Sequence, residues 1–222
     1  MKLIAAKVSS IFRTATLSTR CYLWLRSKLT PYEHLASAFP PKGQILDLGC
    51  GHGLLSFALS LGSQDREVVG IDHDTDRVRI ANDTALDLAS PRRPTFQTGD
   101  LRASLASLAS GSLAGVAMID MLHYFDHATQ EALVNDAARV ITSGGILVVR
   151  DIDADAGIKA ATNQLYERFV TVVGFTRSTE SKLSFRTARE WTVLLESCGF
   201  SVRSHRSGPR FLADRVFIAR RL

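Results

Sequence analysis

Apolar and polar residues follow one another along this chain in blocks that read as strands and helices in turn. Gln44 to Leu48, Glu67 to Ile71, Gly115 to Ile119 and Ile146 to Arg150 are short, mostly apolar runs bounded by acids, glycines or prolines, the pattern of buried strands. Thr95 to Thr98 is a shorter strand, followed by Gly99 and Asp100. Between the strands the spacing turns helical. Leu54 to about Leu61 is one helix, with Gly62 as its expected stop. Asp74 to Leu88 is another, with Val78, Ala81, Ala85 and Leu88 on one stripe before Pro91 and Pro94. Ser104 to Ala109 is a weaker third. About Ala128 to Ile141 is a fourth, which turns at Ser143, Gly144 and Gly145 into the next strand.

The two ends are read the same way. Thr30 as N-cap and Pro31 as first helical residue predict a helix through about Phe39, stopped by Pro40 and Pro41. Asp151 to Asp155 reads as an acidic loop, Ala156 to Val173 as a helix and residues 174–184 as a loop. Thr187 and Glu190 form a capping box that opens a helix burying Trp191, Leu194 and Leu195 and ending at Gly199. Phe200 to Arg203 and Phe211 to Ala219 are two final strands joined around Gly208 and Pro209. Strands alternating with helical crossovers predict an α/β fold, a parallel sheet covered on both faces; the last two strands predict an antiparallel pair.

Within that pattern, the stretch from Ile45 to Gly53 stands out: a buried strand, then Gly49, Gly51 and Gly53 at alternate positions, then a helix. Glycines permit unusual dihedrals and close approach of a ligand, and the helix N-terminus directs unpaired N–H groups into the same space. This predicts a nucleotide-like ligand. The dinucleotide fingerprint would need glycine where Leu54 stands, so the spacing disfavours NAD or FAD. Asp72, closing the second strand, is suited to accept hydrogen bonds from both ribose hydroxyls; capping the next helix, a role open to Asp72 or Asp74, is the plainer alternative.

The segments Asp47–Gly53, Val68–Asp72, Gly99–Asp100, Ile119–Phe125 and Ser143–Arg150 together resemble the class I S-adenosylmethionine-dependent methyltransferases, over roughly residues 40–220. The resemblance implies a Rossmann-like, doubly wound sheet of seven strands in the order 3-2-1-4-5-7-6, strand 7 antiparallel. It implies S-adenosylmethionine as cofactor. Asp47 would meet the methionine amino group and the turn Gly49, Cys50, Gly51 and Gly53 the methionine and ribose. Asp72 would take the ribose, His73 would flank the adenine, and Asp100 would accept from adenine N6, with Leu101 and Asp120 also on the cofactor. Asp120 and His123 follow the fourth strand at the cleft mouth. A base helps if the acceptor is a hydroxyl, and histidine suits neutral pH, so His123 is the candidate general base, with packing over the cofactor as its other reading. Tyr124, Arg150, Asp151, Tyr166 and Arg168 are candidates for the acceptor pocket. His34, His52, His127 and His205 read as surface or packing residues.

Composition narrows the picture. Forty-five per cent hydrophobic and 22% charged residues are ordinary for a globular domain. Three scattered cysteines argue against a disulfide framework and fit a reducing compartment such as the cytoplasm; no metal-ligand spacing appears, so no metal is expected. The net charge of +5 is concentrated at the ends: six basic residues and no acid precede Glu33, and six arginines lie between Arg203 and Arg221. Residues 1–40 thus form a basic N-terminal segment that packs as a cap on the cleft, lies on an anionic membrane surface, or directs organellar import. Residues 41–222 form the methyltransferase domain, with a lid at about 151–185. The chain lacks the Pro-Pro-Tyr signature of amino-methylating enzymes after Asp120, a nucleophilic cysteine at the cleft and an RNA-binding module. That leaves a small-molecule acceptor; the aromatic character of the lid and N-terminal helices, with Tyr22, Trp24, Tyr32, Phe169 and Phe175, points to a hydrophobic or aromatic metabolite, O-methylation before C-methylation. The alternatives are an RNA or protein methyltransferase using the basic ends, a nonenzymatic membrane-associated binder of the cofactor, and, at the level of the cofactor, a nicotinamide oxidoreductase.

Overall fold

The computed structural model describes residues 10–88, 93–156, 183–209 and 212–222. The strands are β1 Lys42–Leu48, β2 Asp65–Asp72, β3 Thr95–Thr98, β4 Leu113–Ile119, β5 Ile141–Ile152, β6 Phe200–Arg206 and β7 Asp214–Arg221. They form one sheet in the order β3-β2-β1-β4-β5-β7-β6. β1 to β5 pair in parallel, and β7 runs antiparallel to both β5 and β6. The helices are α1 Leu17–Leu29, α2 Tyr32–Ser37, α3 Leu54–Gly62, α4 Thr75–Leu86, α5 Leu101–Ala106, α6 His127–Val140 and α7 Ala188–Ser197, with 3₁₀ turns at Leu122–Tyr124 and Ala154–Ala156. The fold and strand order are those expected from the resemblance. No described helix is long and apolar enough to cross a membrane.

Side chains alternate across the sheet and fill two cores. Ile45, Ala117, Val148 and Val216 pack with Phe57, Leu59 and Ala81 of α3 and α4 and with Phe12, Leu23 and Leu35 from the N-terminal region. Leu46, Leu48, Val116, Met118, Leu147 and Val149 pack with Leu133, Val134 and Ala137 of α6 and Trp191 and Leu195 of α7. The N-terminal helices therefore share the main core.

Several boundaries shift for local reasons. α5 begins at Leu101, not Ser104, because the Asp100 carboxylate caps it, accepting the Ala103 N–H at 2.8 Å. Gly62 is the last residue of α3 and not a left-handed stop; the cap is Ser63, in extended conformation. Thr30 closes α1, its N–H donating to the Arg26 carbonyl, and Pro31 is the N-cap of α2. α6 ends at Val140, and the expected turn at Gly144 is absorbed into an irregular start of β5, where the register to β4 shifts between Leu113 and Gly115. Asp151 and Ile152 pair with Arg215 and Asp214 of β7, so they belong to the sheet and not to a lid. β6 runs on to Arg206, and β7 begins at Asp214. The expected helix beyond Ala156, the rest of the lid to residue 182, Pro91 and Phe211 lie outside the described residues.

One buried cation ties α2, the turn after it and α3 to the sheet. Arg66 of β2 donates through Nε to the Pro40 carbonyl at 2.8 Å, through Nη1 to Leu59 at 3.1 Å, and through Nη2 to Ala36 at 3.1 Å and Phe39 at 2.9 Å. Replacing it with an apolar chain strands these carbonyls where little water reaches them. Arg66→Met should lower stability by about 2–3 kcal/mol, read as an earlier urea midpoint; an unmoved midpoint would refute the clamp.

Candidate active site

The site lies at the carboxyl ends of β1, β2 and β4, where open α/β sheets hold their ligands. After Leu48 the backbone takes positive φ at Gly49 (73°), Gly51 (54°) and Gly53 (83°). A Cβ on Gly53 would meet the Phe96 ring at 2.5 Å, whereas one on Gly51 would meet nothing within 4 Å. Gly53 thus serves packing, and Gly51 leaves backbone open to a ligand. The turn is held from β2: the Gly49 and Cys50 N–H groups donate to the Ile71 carbonyl at 2.8 and 3.0 Å.

Asp72 joins turn and strand. Its Oδ2 accepts the Gly51 N–H at 2.8 Å and its Oδ1 the Asp74 N–H at 2.9 Å. Each carboxylate oxygen has a second lone pair, so this locking leaves acceptor capacity toward the cleft. The cap of α4 is Asp74, which accepts from the Asp76 and Arg77 N–H groups.

These elements enclose a cavity of about 330 Å³. Asp47, Gly49, Cys50, Gly51 and His52 line it from the turn, Asp72, His73 and Arg77 from β2 and α4, and Asp100 and Leu101 from the start of α5. Ile119, Asp120, Met121, Tyr124 and Phe125 line it beyond β4. The remaining wall is N-terminal: Tyr22, Leu23 and Arg26 of α1, and Tyr32 of α2. All the expected cofactor residues except Gly53 are therefore brought together. Of the acceptor-pocket candidates Tyr124 is on the wall; Tyr166 and Arg168 lie outside the described residues.

Arg150 and Asp151 point elsewhere than expected. The Arg150 side chain is 2% exposed; its guanidinium pairs with Asp120 and with Asp214, and its Nε donates to the Ser207 hydroxyl at 3.3 Å. Asp120, at φ 55°, also receives Arg26 Nη2 at 2.9 Å. Burial works against the Asp120 carboxylate, but Arg150 and Arg26 hold its pKa below the usual range. Asp151 is buried against His123, Oδ1 to Nδ1 at 2.6 Å. His123 itself is buried off the cavity wall, with its ring stacked on Phe185 at 5.4 Å and 4.3 Å from the ring of Tyr124, which does reach the cavity.

Burial sets the protonation of the turn. It pushes the Asp47 carboxyl up to about 6, against the hydrogen bond from the Ser56 hydroxyl at 2.6 Å and with the Asp72 charge adding to it. It also raises the Cys50 thiol well above its ordinary value, helped by Asp47 and Asp72, which favours the thiol over the thiolate. His52, expected at the surface or in packing, faces the cavity, and burial with the nearby Arg77 lowers it to about 4. A cavity with acids at Asp47, Asp72, Asp100 and Asp120 and guanidinium groups at Arg26 and Arg77 suits a ligand carrying ammonium, hydroxyl and carboxylate groups. Among the described residues no group of three or more His, Cys, Asp or Glu could hold a metal.

Tyr22 and Tyr32, expected in the segments covering the site, are on its wall; Leu23, Arg26, His52, Arg77, Met121 and Phe125 were not expected there. The acid-free helix before Glu33 was a visible signal for the first of these, but which of its faces meets the cleft is a tertiary fact.

Residues 45–145 match a family model described as a methyltransferase domain. No curated protein matched. Among solved structures, a SAM-dependent methyltransferase from Methanosarcina mazei is similar at TM-score 0.65 and 22% identity, over 85% of this chain and 97% of that one. Magnesium protoporphyrin IX methyltransferase from Synechocystis PCC 6803, with bound SAH, is similar at TM-score 0.65 and 21% identity, over 86% and 82%. An O-methyltransferase family protein from Burkholderia thailandensis is similar at TM-score 0.65 and 17% identity, over 86% and 55%.

Two outcomes follow from the acids of the turn. Asp72→Ala should weaken S-adenosylhomocysteine binding at least tenfold by calorimetry, roughly the loss of one charge-assisted hydrogen bond; undiminished affinity would remove the ribose role. Asp47 has a raised folded pKa, so its neutral form favours the ligand-free fold below about pH 4, and that contribution is lost as pH rises through about 6. A ligand ammonium relieves the buried charge. Affinity should therefore rise between pH 5 and about 7 in the native chain and stay flat in Asp47→Asn.

Proposed function

We propose that this class I S-adenosylmethionine-dependent methyltransferase, its family carried by residues 45–145 and its fold by the 3-2-1-4-5-7-6 sheet, methylates a small hydrophobic or aromatic metabolite, with a hydroxyl oxygen as the favoured acceptor and carbon second. The observation that carries this reading is the form of the cavity. Its charged groups are Asp47, Asp72, Asp100, Asp120, Arg26 and Arg77, while Tyr22, Leu23, Tyr32, Met121, Tyr124 and Phe125 give the wall away from the turn an apolar and aromatic character. A volume of about 330 Å³ is in the range of small-molecule sites. The likeness to magnesium protoporphyrin IX methyltransferase and to an O-methyltransferase family protein supports the same class of acceptor.

S-adenosylmethionine, when bound, supplies an electrophilic methyl group on a sulfonium. The chain has to bind it, align the acceptor and exclude water. In this reading Asp47 meets the ammonium, Arg26 the carboxylate and Asp72 the ribose hydroxyls. Asp100, with one oxygen committed to the cap of α5, meets the adenine amine beside His73 and Leu101. Tyr124 and Phe125 shape the acceptor side. His123, held at Nδ1 by Asp151 at 2.6 Å, lies behind Tyr124, whose ring is 4.3 Å away and lines the cavity, so its part as base requires the acceptor proton to reach it past Tyr124.

Labelled methyl from S-adenosylmethionine, offered with a fractionated extract, should appear in a small apolar product identified by mass. Label confined to RNA or protein would overturn the acceptor class. His123→Ala should lower kcat by about 10²-fold or more and leave S-adenosylhomocysteine affinity unchanged, whereas Asp151→Asn should shift the pH profile of kcat. Full turnover in His123→Ala removes the general base.

A further inference from the structure

The inner face of α1 makes the cavity wall; its outer face is built from different chemistry. Of the six exposed large hydrophobic residues among those described, Leu86, Val193 and Leu222 are scattered over α4, α7 and the C-terminus, and the other three are on α1. Leu17 is 75% exposed, Trp24 49% and Leu25 41%. At 100° per residue, Leu17, Cys21, Trp24 and Lys28 fall on one line with Leu25 at its edge, and all five are exposed. Leu23 and Ser27 are buried on another side, and Tyr22 and Arg26 turn to the cavity. The ammonium of Lys28 lies 5.6 Å from the centroid of the Trp24 ring.

Charge specifies what this face fits. No acid precedes Glu33 in the chain, whereas six basic residues do, including Arg13 and Lys28, both exposed. A second copy would set like charge against like. Leucines and a tryptophan beside lysine and arginine match instead a surface that is apolar underneath and anionic on top. We infer that the outer face of α1 docks on an anionic phospholipid bilayer, with Leu17, Trp24 and Leu25 entering the headgroup region and Arg13 and Lys28 meeting lipid phosphate and carboxylate. The helix would lie along the membrane surface with the cavity on its other side. This docking is independent of which acceptor the cavity takes.

The test uses the full chain with vesicles of phosphatidylcholine alone and with phosphatidylserine added. Co-sedimentation should occur with the anionic vesicles and fall roughly tenfold or more in high salt, as screening predicts. Trp191 is 1% exposed, so a blue shift of tryptophan fluorescence on binding reports Trp24. Leu17→Ser/Trp24→Ser/Leu25→Ser and, separately, Lys28→Glu should each abolish or sharply reduce binding while S-adenosylhomocysteine affinity stays at the native value, which shows the fold intact and keeps this outcome separate from the methyl-transfer reading. Equal binding to neutral vesicles, or none to either, overturns the inference. Retention of binding in the triple variant moves the contact away from α1 and overturns it too. A dimer that the triple variant dissociates, without vesicle affinity, would make this face a protein interface instead.

Discussion

A largely buried ionic contact lines the cavity. Asp120, directly after β4, takes guanidinium groups from two directions: Arg26 of α1 and Arg150 of β5, and Arg150 is shared with Asp214 of β7. Charges removed from water are tolerated only when paired, and losing one member of such a set costs on the order of 3–5 kcal/mol. The pairing joins the N-terminal helix to the middle of the sheet at the mouth of the site. It also accounts for Asp120 at φ 55°, a left-handed conformation that few residues other than glycine adopt: the arginines fix the carboxylate from both sides, and the Asp120 N–H donates to the Arg150 carbonyl at 2.8 Å.

That contact gives α1 two roles. Its inner face supplies Tyr22, Leu23 and Arg26 to the cavity, and its core contacts run through Leu23 to the layer under α3 and α4. The Arg26–Asp120 ion pair and the packing of Leu23 are on one side of α1, and its opposite side is exposed. The exposed apolar and basic residues are on that side.

At the turn the constraint is reversed. Asp47 is buried beside Ser56, and burial with the Asp72 charge raises it to about 6, whereas Asp120 is buried with two guanidinium groups and is lowered. Of these two buried carboxylates on one cavity, the one paired with arginines is held ionised and the other is pushed toward its neutral form. Asp72 stands between these cases, holding the Gly51 and Asp74 N–H groups while it faces the cleft.

The periodicity of short apolar runs and helical stripes was enough to place the strands, since burial on both faces demands continuous apolar segments wherever a strand runs. The glycines at 49, 51 and 53 and the acids at 47, 72 and 100 were legible for a similar reason: backbone dihedrals and strand-end acids are local requirements that leave local marks. Helix ends were less legible. The start of α5 and the end of α3 depend on whether Asp100 or Gly62 acts as cap, which the sequence leaves open. Least legible were the partners of Arg150, Asp151 and His123. Sequence placed Arg150 at the end of a strand and Asp151 and His123 after strands, all at the cleft, yet Arg150 turns to Asp120 and Asp214, and Asp151 to His123. The sequence by itself determined the order of elements and the ligand-facing turn, because both are written in neighbouring residues. Only the tertiary structure decided that α1 is a wall of the site and that Asp120 is bound by arginines 94 and 30 positions away, because a buried charge takes whichever partner the packing brings near.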